Sequence, residues 1–107
     1  MKRKCDIVFV NDKLEKEFEE LQDKELKKYL IKAFLEIQKN VFCGIRIPKK
    51  LIPKEYILKY KINNLMKYDL PNSWRLIYSI TTPNKVEILA VILEWFDHKK
   101  YGRRFRY

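Results

Sequence analysis

The sequence predicts an α+β domain in which two N-terminal helices pack on one face of a small antiparallel-type sheet, in the order β-α-α-β-β-β. Apolar residues recur at helical spacing before residue 45 and at strand spacing from residue 65 onward. Helices and strands segregated in this way are typical of the α+β class, and the opposite face of the sheet is expected to stay more open. The 107 residues, 47% of them hydrophobic, suit one domain over residues 1–107.

A short strand and the helix after it are predicted at the start of the chain. Residues 5–10 are mostly apolar, and Asn11 and Asp12 are residue types that cap helices. Asp12 and Glu15 have the spacing of a capping box, which predicts that the helix begins here. The apolar residues that follow recur at helical spacing, and they are Leu14, Phe18 and Leu21.

A second, longer helix is predicted after Gln22 and Asp23 interrupt the first pattern. Its apolar stripe is closed by Gly44, which we interpret as the C-cap. The stripe consists of Leu26, Leu30, Ala33, Phe34, Ile37 and Val41. A tight turn between the two helices predicts an antiparallel pair. Pro53 then predicts one or two helical turns over residues 54–59.

Three strands are predicted in the second half of the chain, over residues 65–70, 74–81 and 86–93. Residues 71–73 and 83–84 contain Pro and Asn and mark the turns between them. In the second of these strands, alternate apolar side chains share one face, and they are Trp74, Leu76, Tyr78 and Ile80. Residues 86–93 are largely apolar at both alternating sets of positions, which predicts a central strand covered on both faces.

The positive charge is concentrated in the second part of the chain. The formal net charge is +10, and residues 41–107 hold fourteen of the 24 basic residues but only five of the 14 acidic ones. Residues 98–106 carry five basic side chains interleaved with Tyr101 and Phe105. This combination is typical of surfaces that bind a phosphate backbone and stack on bases. A solvated tail that keeps the protein soluble remains the alternative.

Several classes of function are not supported by the sequence. No apolar run approaches the roughly 20 residues needed to span a bilayer, and residues 7–10 are too short for a signal peptide. We therefore expect a cytoplasmic protein in which Cys5 and Cys43 are free thiols. Two Cys and one His at unrelated spacings do not suit a zinc site. No phosphate loop, dinucleotide motif or catalytic triad spacing is present, so no metal or cofactor is expected.

Two segments resemble the RelE/ParE superfamily of toxins from toxin–antitoxin systems, most closely its RelE-like branch. One is the hairpin element Trp74-Arg75-Leu76-Ile77-Tyr78, and the other is the His-, Arg- and Tyr-rich segment over residues 98–104. The predicted order of strands and helices matches over essentially the whole chain. The resemblance implies a ribosome-dependent endoribonuclease that inhibits translation. The implied partners are the ribosome, mRNA and a cognate antitoxin protein, with neither a membrane nor a small-molecule cofactor.

Metal-independent RNA cleavage requires a base that activates the ribose 2′-OH, cations that bind the phosphate and an acid at the leaving oxygen. Arg75 is the candidate for the phosphate clamp, because its planar guanidinium stays charged and binds two oxygens. His98 is the only imidazole in the chain, and an imidazole suits either the base or the acid near neutral pH. Tyr101 is a candidate for supplying a proton or stacking on a base.

The resemblance also places Lys67 among the catalytic residues, on a strand where RelE-like toxins carry basic side chains. Asp69 lies two residues further along the same strand face and replaces a basic group that the family pattern leads us to expect. This carboxylate is either the base itself or a sign of weakened cleavage. The other basic candidates are expected to bind RNA phosphates, and they are Lys49, Lys50, Lys54, Arg103 and Arg104.

Two other functions are compatible with the same pattern. One is a catalytically inactive RNA- or ribosome-binding module, in which Asp69 marks the loss of cleavage. The other is a ParE-like toxin that acts by binding a gyrase. Residues 98–106 and Arg75 favour RNA over gyrase, although a fold by itself does not determine function. Trp95 and Phe96 precede the basic segment and either anchor it to the core or form part of an antitoxin groove.

Overall fold

The computed structural model describes residues 3–105, which form a five-stranded sheet and four α-helices, so the predicted α+β class is confirmed. The strands are β1 (Asp6–Phe9), β2 (Ile45–Arg46), β3 (Met66–Asp69), β4 (Arg75–Thr81) and β5 (Leu89–Phe96). The helices are α1 (Asp12–Glu19), α2 (Lys24–Lys39), α3 (Lys54–Tyr60) and α4 (His98–Phe105). The last strand begins and ends three residues later than predicted.

The sheet is mixed, with the strand order β1-β5-β4-β3-β2. β1 runs parallel to β5, with Ile7 opposite Ala90, whereas the other neighbouring strands are antiparallel. The prediction of an antiparallel-type sheet is therefore wrong at this edge, because the side-chain pattern of a short strand does not specify the direction of its partner. The predicted order also lacks β2, since two residues are too few to show alternation.

Buried residues of α1 and α2 share a first core with alternate residues of the central strands. Leu30 and Ile37 of α2 are fully buried in this core together with Leu76 and Tyr78 of β4. The residue between those two strand positions, Ile77, belongs to a second core on the other face. The predicted alternation in this strand is therefore confirmed.

The second core covers much of the other face of the sheet. Its buried members are Ile47, Ile52, Tyr56, Leu65, Ile77, Leu93, Phe96 and Tyr101. The expectation that this face stays open is therefore wrong here, because α3, the segment that precedes it and α4 all contribute buried residues to this core. Within residues 3–105, no helix combines the length and apolar character that crossing a membrane requires.

The helix ends differ from the predicted caps. The N-cap of α1 is Asn11, whose side chain accepts a hydrogen bond of 2.9 Å from the Leu14 N–H, so Asp12 is the first helical residue. α2 ends at Lys39, and Gly44 lies beyond it. A Cβ atom at Gly44 would lie 2.7 Å from the Tyr78 hydroxyl oxygen and 2.8 Å from the Lys67 carbonyl oxygen. Glycine is therefore required here by a close approach of the chain to β3 and β4, and the predicted C-cap is wrong.

The Tyr78 hydroxyl is a buried hydrogen-bonding centre in the first core. It donates to the Val41 carbonyl at 2.8 Å and accepts from the Gly44 N–H at 3.1 Å. Burial raises the pKa of Tyr78, so the hydroxyl remains protonated and able to donate.

Tyr78→Phe is expected to lower the free energy of unfolding by about 1–3 kcal/mol, because it leaves a backbone donor and acceptor without their partner. Urea denaturation followed by circular dichroism measures this change. Tyr29→Phe is the matched control, since its hydroxyl makes a surface hydrogen bond to Glu25. Equal unfolding midpoints for the two variants would contradict a stabilising role for the Tyr78 hydroxyl.

Candidate functional site

Three of the four predicted catalytic residues come together on the second face of the sheet. Lys67 of β3 and Arg75 of β4 lie over the ring of Tyr101 from α4, with the Lys67 Nζ and the Arg75 Cζ 5.5 Å and 5.6 Å from the ring centroid. Asp69 pairs directly with Arg75 across the two strands. We call these four residues, Lys67, Asp69, Arg75 and Tyr101, the Arg75 cluster.

The carboxylate of Asp69 contacts both cations of the Arg75 cluster. Its Oδ1 lies 3.0 Å from the Arg75 Nε and 3.7 Å from the Lys67 Nζ, and its side chain is 49% exposed. Arg75 also donates from Nη1 to the Trp74 carbonyl at 3.2 Å, but its Nε–H is not aligned for a hydrogen bond within the described residues. A phosphate that approaches Arg75 and Lys67 therefore competes with a carboxylate already beside them.

Tyr101 is held in place by aromatic packing and is not part of a solvated tail. Its ring stacks on Phe105 with 4.5 Å between centroids, and it meets the edge of Phe96 at 5.7 Å. The side chain of Asp97 accepts a hydrogen bond from the Lys100 N–H and so caps the start of α4. Phe96 therefore anchors this segment to the second core, which is one of the two roles left open for it, whereas the neighbouring Trp95 packs with the first core.

Sequence reasoning missed α4 because basic residues and Gly102 conceal its periodicity. Gly lowers helix propensity by about 1 kcal/mol relative to Ala, and the helix has few apolar residues. The signal that was present is the i, i+4 pair Tyr101 and Phe105 after an Asp that can cap. The first of these residues is only 4% exposed, which places this pair on the buried side of the helix.

His98, the fourth predicted catalytic residue, is the exposed first residue of α4. The structure gives no hydrogen bond, ion pair or ring contact between His98 and any other residue of the described range 3–105. It precedes Tyr101 by three residues, so both side chains lie towards the same side of the helix. His98 is therefore connected to the Arg75 cluster only through its position on the same helix as Tyr101.

Four of the five predicted RNA-binding residues line one groove. The groove has a volume of about 570 Å³ and lies between α3 with its preceding turn and the end of α4, where Lys50, Lys54, Arg103 and Arg104 meet. Lys49 lines a different depression on the far side of the same turn. Arg106, the last basic residue of the predicted tail, lies outside the described residues.

Arg104 is engaged in ion pairs within the protein. Its Nη2 donates to Glu94 at 2.6 Å, and its Nη1 lies 3.5 Å from Glu55. The hydroxyl of Tyr56 donates to the other oxygen of Glu94, also at 2.6 Å. The hydrogen bond to Glu94 raises the pKa of Arg104, whereas burial is the main cause of the raised pKa of Tyr56. This network joins α3, β5 and α4, so Arg104 stabilises the fold around the groove.

A β-bulge in β5 orients Glu94 towards this network. Ile77 of β4 pairs with Glu94 while the next residue, Tyr78, pairs with Ile92, so Leu93 is the extra residue. Sequence reasoning missed Glu94 as a structural residue. The available signal was an acidic side chain inside an apolar strand, which requires a partner when it is buried.

Glu94→Gln is expected to lower the free energy of unfolding by about 1–2 kcal/mol, because it removes a charge-assisted hydrogen bond to Arg104. The rate of hydrogen exchange at the amides of α4 should increase in this variant, because the network connects this helix to the sheet. Glu17→Gln on the exposed side of α1 is the matched control. Unchanged stability and exchange in Glu94→Gln would show that the network does not hold α4.

The two cysteines are free thiols of low reactivity. Burial raises the pKa of Cys5 to about 11, and its Sγ donates to the Ile37 carbonyl at 3.2 Å. Burial also raises the pKa of Cys43. Both thiols are protonated near neutral pH, so neither is suited to be a nucleophile.

Comparison of the chain with protein-family models, with curated proteins and with solved structures finds no match. What defines the site is its geometry: a cation pair beside a carboxylate, next to a basic groove, on one face of a mixed α+β sheet.

Proposed function

We propose that this protein is a RelE-like toxin, an mRNA endonuclease that acts on the ribosome and is neutralised by a cognate antitoxin protein. The observation that carries the proposal is the convergence of Lys67, Arg75 and Tyr101 on one face of the sheet. The basic groove next to them supports it, since a phosphate backbone needs several cations in a row. In this proposal α1 and α2, which pack on the face of the sheet opposite the Arg75 cluster, correspond to the two N-terminal helices of a RelE-like toxin.

The proposed reaction is an attack of the ribose 2′-oxygen on the adjacent phosphorus. The P–O bond to the 5′-oxygen of the next nucleotide breaks, which leaves a 2′,3′-cyclic phosphate and a 5′-OH. Arg75 and Lys67 neutralise the negative charge that builds up on the phosphate oxygens. Tyr101 positions these two cations, because its ring lies beneath both of them.

Two groups are candidates for the proton transfers. Asp69 lies beside the phosphate clamp, and its carboxylate can accept the 2′-OH proton. His98 is exposed at the start of α4, on the side of Tyr101, and is the candidate acid for the leaving 5′-oxygen. Lys67 lies beside the Asp69 carboxylate and over the Tyr101 ring, and both of these neighbours favour a positive charge. We therefore assign Lys67 the role of neutralising charge on the phosphate and not the role of the base.

Induction of the protein in growing bacteria tests this proposal. We expect growth arrest together with mRNA fragments that carry 2′,3′-cyclic phosphate and 5′-OH ends, and cleavage by the purified protein on ribosomes. His98→Ala should slow cleavage by about 100-fold, whereas Lys99→Ala, its exposed neighbour, should not. Absence of both arrest and cleavage overturns the proposal, and inhibition of gyrase without cleavage would assign the ParE-like class instead.

One observation favours a second candidate function, an RNA- or ribosome-binding module without cleavage. Asp69 contacts both cations of the proposed clamp, which weakens their attraction for a phosphate. In this alternative the groove binds RNA while the Arg75 cluster serves only to hold α4 on the sheet. RNA binding by the purified protein without any cleavage on ribosomes would select this function.

A further inference from the structure

A small cavity beside the Arg75 cluster has no role in the proposed reaction. It has a volume of about 170 Å³, and most of its lining is apolar. The apolar lining comes from Ile45, Ile47, Pro48, Leu51 and Phe105. Pockets for drug-sized ligands measure roughly 300–1,000 Å³, so this cavity suits a single flat ring system.

Cations lie on two sides of this cavity. On one side it is bordered by Lys67 and Tyr101, which belong to the Arg75 cluster. On the other side it shares Leu51 and Phe105 with the basic groove that contains Lys50, Lys54 and Arg103. A ligand in the cavity would therefore lie between two sets of cationic side chains on one continuous surface.

The lining also includes two apolar side chains with unusually high exposure. Ile45 of β2 is 53% exposed, and Leu51 in the turn before α3 is 58% exposed. Neither side chain contributes much to the core, so their apolar character is not explained by folding. Both are available to a ligand that enters the cavity from solvent.

We propose that this cavity is a nucleobase pocket, which holds one base of a single-stranded RNA whose flanking phosphates lie at the Arg75 cluster and at the basic groove. The inference rests on the proposed RNA binding and adds a subsite to it. Each nucleotide in a strand combines a flat, stackable ring with a phosphate on either side, which matches an apolar cavity between two sets of cations. An acidic peptide with one aromatic residue matches the cavity less well, because its charges have no regular position on both sides of the ring.

Binding of a short RNA that cannot be cleaved tests the pocket. We would use a fluorescein-labelled single strand with 2′-O-methyl riboses, and a series in which each position in turn lacks its base. One abasic position should weaken binding by about tenfold, the scale of a single base–aromatic contact. Leu51→Gln should weaken binding of the intact strand similarly but should not weaken that abasic strand further.

Leu58→Gln is the matched control, because Leu58 is an exposed leucine of α3 that does not line the cavity. We expect wild-type affinity for this variant, and circular dichroism should show both variants folded. If no abasic position weakens binding, or if Leu51→Gln binds RNA like Leu58→Gln, the pocket proposal is overturned. It is also overturned if a glutamate-rich peptide with one tryptophan, and not RNA, responds to Leu51→Gln.

The outcome is separable from that of the proposed function, since the RNA in this test cannot react. Cleavage of mRNA on ribosomes without any effect of abasic positions would overturn the pocket alone. An effect of one abasic position without cleavage would support the pocket and overturn the nuclease. A failure to bind any RNA, together with an absence of cleavage on ribosomes, would overturn both.

Discussion

Replacing Arg75 by alanine is expected to slow RNA cleavage on ribosomes by about 100-fold or more, which is the cost of removing one preorganised charge donor from a transition state. Its guanidinium is held beside Asp69 and over the Tyr101 ring, and no other described arginine lies over that ring. Arg75→Lys should recover only part of the rate, because an ammonium keeps the charge but loses the planar fork. Stability should change by about 1 kcal/mol or less, since the partner carboxylate is half exposed.

The measurement is a single-turnover cleavage rate on mRNA-loaded ribosomes, with urea denaturation to confirm that each variant is folded. Arg3→Ala is the matched control, because Arg3 is an exposed arginine that lines a different depression from the groove and the cavity. A folded Arg75→Ala variant that cleaves at the wild-type rate would remove Arg75 from the proposed mechanism.

Asp69→Asn is expected to change binding and cleavage in opposite directions. RNA binding should tighten by about tenfold, because the variant removes a negative charge that lies 3.0 Å from Arg75 and 3.7 Å from Lys67. Cleavage should slow by about 100-fold, because an amide cannot take the 2′-OH proton. Binding is measured with the uncleavable strand, and cleavage with ribosomes in excess.

Asp6→Asn is the control for this pair of measurements, since Asp6 is an exposed carboxylate on β1. An Asp69→Asn variant that both binds and cleaves better would show that the carboxylate obstructs the site and is not the base. If Asp69→Asn binds RNA more tightly and neither the wild-type protein nor the variant cleaves it, the result would instead support the RNA-binding module.

The sequence predicts those elements of the fold that are long enough to show a helical or alternating pattern of apolar residues. The apolar stripe of α2 and the alternation in β4 both appear where they were predicted, except that Val41, the last residue of the stripe, lies beyond the end of the helix. The two-residue strand β2 is too short for any pattern, and α4 is hidden by its charges and by Gly102. The parallel pairing of β1 with β5 could not be predicted, because the side-chain pattern of a strand does not specify which strand becomes its neighbour.

The candidate site was predicted in part. Lys67, Arg75 and Tyr101 were identified from the sequence and lie together in the structure. The ion pair between Asp69 and Arg75 could not be predicted, because it depends on the register between β3 and β4. The structural role of Glu94 depends on a bulge, which changes the face that a strand residue occupies.

By itself, the sequence determined the α+β class, the face that each residue of β4 takes and the concentration of positive charge after residue 40. Only the tertiary structure decided that α4 packs on the second face, where it brings Tyr101 to Lys67 and Arg75 and closes a cavity beside them. The physical reason is that spacing along the chain specifies which side of its own element a residue faces. The element opposite that side is chosen by packing between segments that are distant in the sequence.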